Sequence, residues 1–332
     1  MQYNYRKIAL FGCLLAAVVV TLGAYTRLSN SGLGCPDWPG CYGFMSVPTL
    51  AEDVLVAQSQ FPESKIEHEK AWIEMIHRYF AAILGLLVLF LCVIAIKYKR
   101  ASPLPTKLVC LLTLLILFQG ALGMWTVTMN LQPFIVMGHL LGGFSILSLL
   151  SLLYFRVATS LSPLADKVSH RFKMVLFVLG ILVIQIALGG WVAANYAAPH
   201  CTGLPACNNM ELFSINSLFH LPIGQENYEY GVLPFETRLS IHFVHRFWAL
   251  VTSIAIFVMA IKLYALATST TFKYAILWVV ALLIIQLSVG AAIVYLQFPL
   301  LLTLFHNFMA AMLLTSMVRL CFLIKYRCGD VV

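Results

Sequence analysis

The 332-residue chain is 61% hydrophobic and 10% charged, with a mean hydropathy of +0.91. That composition excludes a soluble globular domain and leaves an all-α membrane protein, with lipids as its surroundings. The net charge of +8 does not require a nucleic-acid partner, because the basic residues fall where the orientation of a membrane protein would put them.

Apolar runs long enough to span a bilayer as helices lie at about residues 8–26, 73–96, 106–127, 134–155, 172–194, 240–266, 272–296 and 299–324. The first has no small-residue cleavage site and reads as a retained helix, and no Arg-rich, Ser-rich transit segment precedes it. A multi-pass protein of a bacterial inner (cytoplasmic) membrane is expected. With the N-terminus inside, fifteen of the twenty-one Lys and Arg fall on the cytoplasmic side, with only Asp166 and Asp330 among the acids. Both termini are then cytoplasmic. Two long outer loops, 27–72 and 195–239, follow the first span of each half. Each half holds four spans, an even number, so the halves run the same way. Eight transmembrane helices arranged as two duplicated parallel four-helix bundles, residues 1–158 and 172–332, are expected, with a cytoplasmic linker at 159–171.

The duplication also has a chemical signature. Glu74-Met75-Ile76-His77-Arg78 and a later His139 in the first half match His242-Phe243-Val244-His245-Arg246 and His306 in the second. His77 to His245 is 168 residues and His139 to His306 is 167. Cys35 and Cys41 recur as Cys201 and Cys207 after 166 residues, and Gln119 recurs as Gln286 after 167.

All four histidines fall at one depth near the outer face. An intramembrane histidine is expensive unless it faces the bundle interior, and two on facing helices can clamp a haem iron. The plainer reading is hydrogen bonding between helices, which explains a fourfold pattern in register less well. Zinc or copper fits poorly with two ligands per bundle and no thiolate beside them. His68, His170, His200 and His220 read as surface residues of loops.

Arg78 and Arg246 sit where a guanidinium fork can bind a haem propionate, or simply snorkel to lipid headgroups. One turn earlier the copies differ: Glu74 stands where the other half has His242. A carboxylate there can act as general base or stabilise positive charge, although a helix-start acid needs no such role. Both cysteine pairs lie in outer loops and are expected to form disulfides. They act either as staples or as redox-active pairs, with the staple favoured for Cys201 and Cys207.

With these residues assembled, the chain resembles the haem A synthase family. The resemblance rests on the Gly23 to Cys41 stretch with its Cys35-Pro-Asp-Trp-Pro-Gly-Cys41 loop, on Glu74-x-x-His77-Arg78, on Gly138-His139, on His245-Arg246 and on His306, and it covers nearly the whole chain. It implies an oxidoreductase that oxidises the C8 methyl of haem O to the formyl of haem A for cytochrome oxidase, in a water-dependent reaction. It further implies substrate haem between His77 and His139 with Glu74 required, and haem b as cofactor between His245 and His306. Haem O synthase and cytochrome oxidase assembly factors become candidate partners, and homo-oligomerisation stays open. The rival reading is a bis-histidine cytochrome b that only transfers electrons; a transporter with parallel repeats is a third. His242 leaves the choice of ligand in the second half ambiguous.

Overall fold

The computed structural model describes residues 2–99, 104–157, 164 and 166–328. Residues 159–163 and 165 of the expected linker lie outside the described residues, as do Arg100 and Asp330. Among the described residues the fold is helical, with a single isolated bridge between Cys41 and Phe44. The helices are α1 Gln2–Leu28, α2 Ala51–Gln60, α3 His68–Lys97, α4 Thr106–Thr128, α5 Pro133–Val157, α6 Phe172–Ala194, α7 Phe235–Leu266, α8 Thr270–Tyr295 and α9 Leu300–Tyr326. All but α2 are long and apolar enough to cross a membrane. Large apolar side chains such as Leu114, Phe177 and Ile261 cover their outer faces, as expected of surfaces whose solvent is lipid. Helix α2, within the first long loop, was not expected, and α3 and α7 each begin about one turn or more before the apolar run.

Helix ends follow local chemistry. Proline opens α5 and precedes α4, α7 and α9, where a missing N–H is harmless. Ser269 caps α8 by accepting from Phe272 N at 3.3 Å. At the loop-bearing end, α1, α4, α6 and α8 all stop in left-handed backbone, at Asn30, Asn130, Tyr196 and Gln297. Each is closed by a six-to-one bond: Ser31 N to Thr26 O, Leu131 N to Thr126 O, Ala197 N to Val192 O, and Phe298 N to Ile293 O. The turn survives at equivalent places even where Asn has become Tyr or Gln.

Packing order also recurs. Helices α1 and α4 both pack on α3 and α5, and α6 and α8 both pack on α7 and α9. Helices α5, α6, α9 and α1 make the contact between these groups, with Leu150, Leu153, Met317 and Leu320 buried in it. Ser148 of α5 meets Thr315 of α9 at 3.4 Å, two positions 167 residues apart. Arg27 at the end of α1 crosses to the Ala193 carbonyl of α6 at 2.6 Å and lies 3.8 Å over the Tyr196 ring.

The described part of the linker is docked. Leu164 N donates to Arg327 O, and Asp166, fully buried, accepts from the backbone and hydroxyls of Thr268 and Ser269 in the α7–α8 turn.

Candidate functional site

Each of the four histidines lies against a glycine of the preceding long helix. A Cβ added at Gly23 of α1 would meet the His77 ring at 2.9 Å, at Gly123 of α4 the His139 ring at 3.3 Å, at Gly189 of α6 the His245 ring at 3.0 Å, and at Gly290 of α8 the His306 ring at 3.0 Å. The missing side chains make the space into which the Cε1 edge of each imidazole fits against a helix. One turn earlier on those helices, the backbone carbonyls of Val19, Gln119, Gln185 and Gln286 approach the same rings. A carbonyl beside a histidine is a common way to fix the tautomer and orientation of a ligand.

Three of these residues add a side-chain amide. Gln119 Nε2 is 3.0 Å from His139 Nδ1, Gln185 Nε2 is 3.2 Å from His245 Nδ1, and Gln286 Nε2 is 3.1 Å from His306 Nε2. His77 has no such neighbour, and its Nδ1, like that of His306, is buried without a hydrogen-bond partner.

His77 and His139 face each other with ring centroids 6.4 Å apart and planes at 84°. Metal–imidazole bonds of about 2 Å on either side of one iron, plus about 1 Å from each nitrogen to its ring centre, span about 6 Å. The separation therefore leaves room for one iron between the two rings, which these histidines would hold. Among the described residues no three His, Cys, Asp or Glu gather as a protein metal cage would require.

Above the first pair, the Glu74 side chain is buried at 4% exposure. Its Oε2 accepts from Cys35 N at 3.0 Å and its Oε1 from Arg78 Nη2 at 2.6 Å. Arg78 Nη1 donates to the carbonyls of Asp37, Pro39 and Gly40. The carboxylate and guanidinium thus join helix α3 to the Cys35–Cys41 loop, which is closed by a disulfide with Cα atoms 4.8 Å apart. Asp37 ties the loop further by accepting from Tyr42 N and Gly43 N. Gly34 permits the approach, since a Cβ there would run into the Lys70 carbonyl at 2.6 Å. Burial, and then the carboxylates of Glu67, Glu74 and Asp37, raise the Tyr42 phenol above its ordinary value, so it stays a neutral donor to Lys65 O at 2.9 Å.

The second half repeats the joint with different atoms. Arg246 Nε donates to His242 Nε2 at 3.3 Å, while Nη1 and Nη2 donate to the carbonyls of Gly203 and Cys201. His242 Nδ1 lies 2.8 Å from Ala198 O. The Cys201–Cys207 disulfide closes that loop, with Cα atoms 4.7 Å apart.

The candidate ligand histidines, Glu74, His242, the two arginines and the four loop cysteines thus fall into two groups with matching contacts, one in each half of the chain. Arg78 and Arg246 are already engaged by loop carbonyls, so a propionate would have to share them. Both nitrogens of His242 are in contact with protein groups, whereas His245 lies on the glycine cradle. His68 opens α3 and His200 ends a short turn beside Cys201, while His170 and His220 stay outside the clusters. Gly23 marks the start of the stretch that carries the resemblance, but nothing in the sequence pattern assigns it, Gly123, Gly189, Gly290 or Gln185 a place against a histidine. The glycines were accessible from register alone, because Gly23 to Gly189 is 166 residues and Gly123 to Gly290 is 167. Gln185 was invisible to a search for repeats because its counterpart is Val19.

Comparison with known proteins finds relatives over most of the chain. The family model described as cytochrome oxidase assembly protein, COX15-CtaA, matches residues 6–318. The heme A synthase of Shewanella oneidensis is 48% identical over 307 residues, 91% of each chain. That of Neorickettsia sennetsu is 26% identical over 330 residues, covering 94% of this chain and 96% of its own. That of Shouchella clausii is 28% identical over 215 residues, covering 63% and 65%. Over nearly its whole length, the chain belongs to the COX15-CtaA family of cytochrome oxidase assembly proteins.

Proposed function

We propose that the chain is a haem A synthase, oxidising the C8 methyl of haem O to the formyl of haem A. In this reading it is two duplicated parallel four-helix bundles, 1–158 and 172–332, joined through 159–171, with both termini cytoplasmic in a bacterial inner membrane. The recurrent packing order, the four matching helix ends and the Ser148–Thr315 meeting of equivalent positions support the duplication.

The observation that carries the function is the buried carboxylate of Glu74 beside the His77 and His139 pair, where the other half has His242. Converting a methyl to a formyl with water as oxygen source releases four electrons and four protons, so the site needs a base and an electron outlet. Glu74 takes the first role: it can accept protons or stabilise developing positive charge, with Cys35 N and Arg78 fixing its two oxygens. His77 and His139 hold the substrate haem. His245 and His306 hold haem b, which when bound supplies a one-electron relay toward an acceptor outside the chain. Haem O synthase as donor and cytochrome oxidase assembly factors as recipients are the partners this role calls for.

Glu74→Gln, expressed in cells that make haem O, is expected to retain haem b and stop haem A from accumulating, as read by haem extraction and mass analysis. Full haem A yield would remove Glu74 from the reaction. An extract holding haem b alone from the unmodified protein would favour the electron-transfer cytochrome instead.

A further inference from the structure

The two histidines that follow the first long helix of each half are held differently. His77 lies over Gly23 and near the Val19 carbonyl; His245 lies over Gly189 and near the Gln185 carbonyl. Backbone and cradle are the same, and Val19 and Gln185 are 166 residues apart, in the register of Gly23 and Gly189. Only the side chain changes. Gln185 puts its amide 3.2 Å from His245 Nδ1, while Nδ1 of His77, like that of His306, is buried without a hydrogen-bond partner and His77 has only the Val19 carbonyl nearby.

An imidazole that binds iron through Nε2 carries its proton on Nδ1 and needs an acceptor there. Gln185 can supply one. Its Oε1 is buried without a partner, and turning the amide about its last torsion, an orientation set by the hydrogen-bond network, brings that oxygen onto Nδ1–H. Val19 has nothing to offer beyond its backbone carbonyl. The opposite ligand of the same pair, His139, does have an amide neighbour in Gln119. Of the two histidines in the first half, His77 is therefore the less restrained.

Building on the haem assignment above, we propose that Gln185 is a positioning residue that makes His245 a permanent ligand, and that Val19 leaves His77 as the exchangeable ligand through which substrate haem enters and product leaves. An enzyme that turns over one haem while keeping another needs this difference. The change from Val19 to Gln185 beside matching cradles provides it.

The test is haem transfer from purified, haem-saturated protein to excess apomyoglobin, followed in the Soret region. The unmodified protein is expected to release haem in two phases, the fast one from the first half. Gln185→Leu, close in volume, is expected to accelerate the slow phase about 10-fold or more, the usual effect of removing a ligand's outer partner. Gln185→Glu, which keeps an acceptor, is expected to restore it. Val19→Gln is expected to slow the fast phase by a similar factor, an effect that misfolding cannot produce. Unchanged phases in both Gln185→Leu and Val19→Gln overturn the proposal, as does equal acceleration of both phases by Gln185→Leu. Failure of the haem assignment looks different: unmodified protein with no Soret band after exposure to haem has no phases to compare.

Discussion

The two halves share a joint and differ in what it is made of. In each, a residue one turn before an arginine is tied to that arginine, and the arginine to the carbonyls of a disulfide loop. In the first half the tied residue is the acid Glu74 and in the second it is His242. A structural clasp would work with either, and the second half shows that an imidazole suffices. The carboxylate is therefore not required by the clasp, which is why it is the better candidate for chemistry.

Separating clasp from ligand gives the largest expected effect. His245→Ala should abolish haem b binding, whereas His242→Ala should keep it and lose only stability; an optical spectrum with pyridine haemochrome analysis of each distinguishes them. Haem b lost from His242→Ala and kept by His245→Ala would reverse the assignment. The next effect is Arg78→Ala, which strands a buried carboxylate and should destabilise the first half by about 3–5 kcal/mol. Arg246→Ala leaves only a neutral imidazole behind and should cost less. Thermal unfolding of the two variants, followed by haem absorbance, checks the order, and equal losses would mean that the charge at Glu74 adds nothing to the joint.

Much of this was legible in the sequence because a membrane narrows the choices. The eight apolar helices follow from the hydropathic runs, and the register pairs His77 with His245 and His139 with His306, placements that errors of half a turn do not move far. Helix α2 was missed because Ala51–Gln60 is short and amphiphilic, with no long apolar run to reveal it. The clasp was missed for a different reason. Arg78 and Arg246 read as propionate binders because their loop partners are backbone carbonyls, which leave no mark in a sequence. Val19 against Gln185 was missed because comparing copies finds what they keep more readily than what they lose.

Smaller effects probe the cradles. Gly189→Ala and Gly23→Ala each place a methyl about where an imidazole edge now sits, at 3.0 Å and 2.9 Å, and overpacking of this kind typically costs about 1–3 kcal/mol. If His245 is the more tightly held ring, Gly189→Ala should disturb the haem b spectrum, while Gly23→Ala should be absorbed by rotation of His77 and show mainly as weaker substrate retention. Identical spectral changes in both variants would argue that the two histidines are equally restrained.

An effect of similar size lies away from the candidate site, at Asp166. Among the described residues, Asp166 fastens its segment to the α7–α8 turn. Burial works against its charge, but the hydroxyl and backbone donors of Ser269 and Thr268 outweigh it and hold its carboxyl below the ordinary value. A carboxyl depressed on folding contributes stability that is present above its unfolded value and lost as pH falls through its folded one. Asp166→Asn should therefore lower the melting temperature at neutral pH, by the equivalent of about 1–3 kcal/mol for charge-assisted bonds of this kind, and the gap between variant and unmodified protein should narrow on acidification. A gap independent of pH would show that shape, and not charge, seats the linker. If unfolding of Asp166→Asn begins among α6–α9 while α1–α5 stay folded, the Asp166 segment is a fastening of one group of helices and not a brace between two.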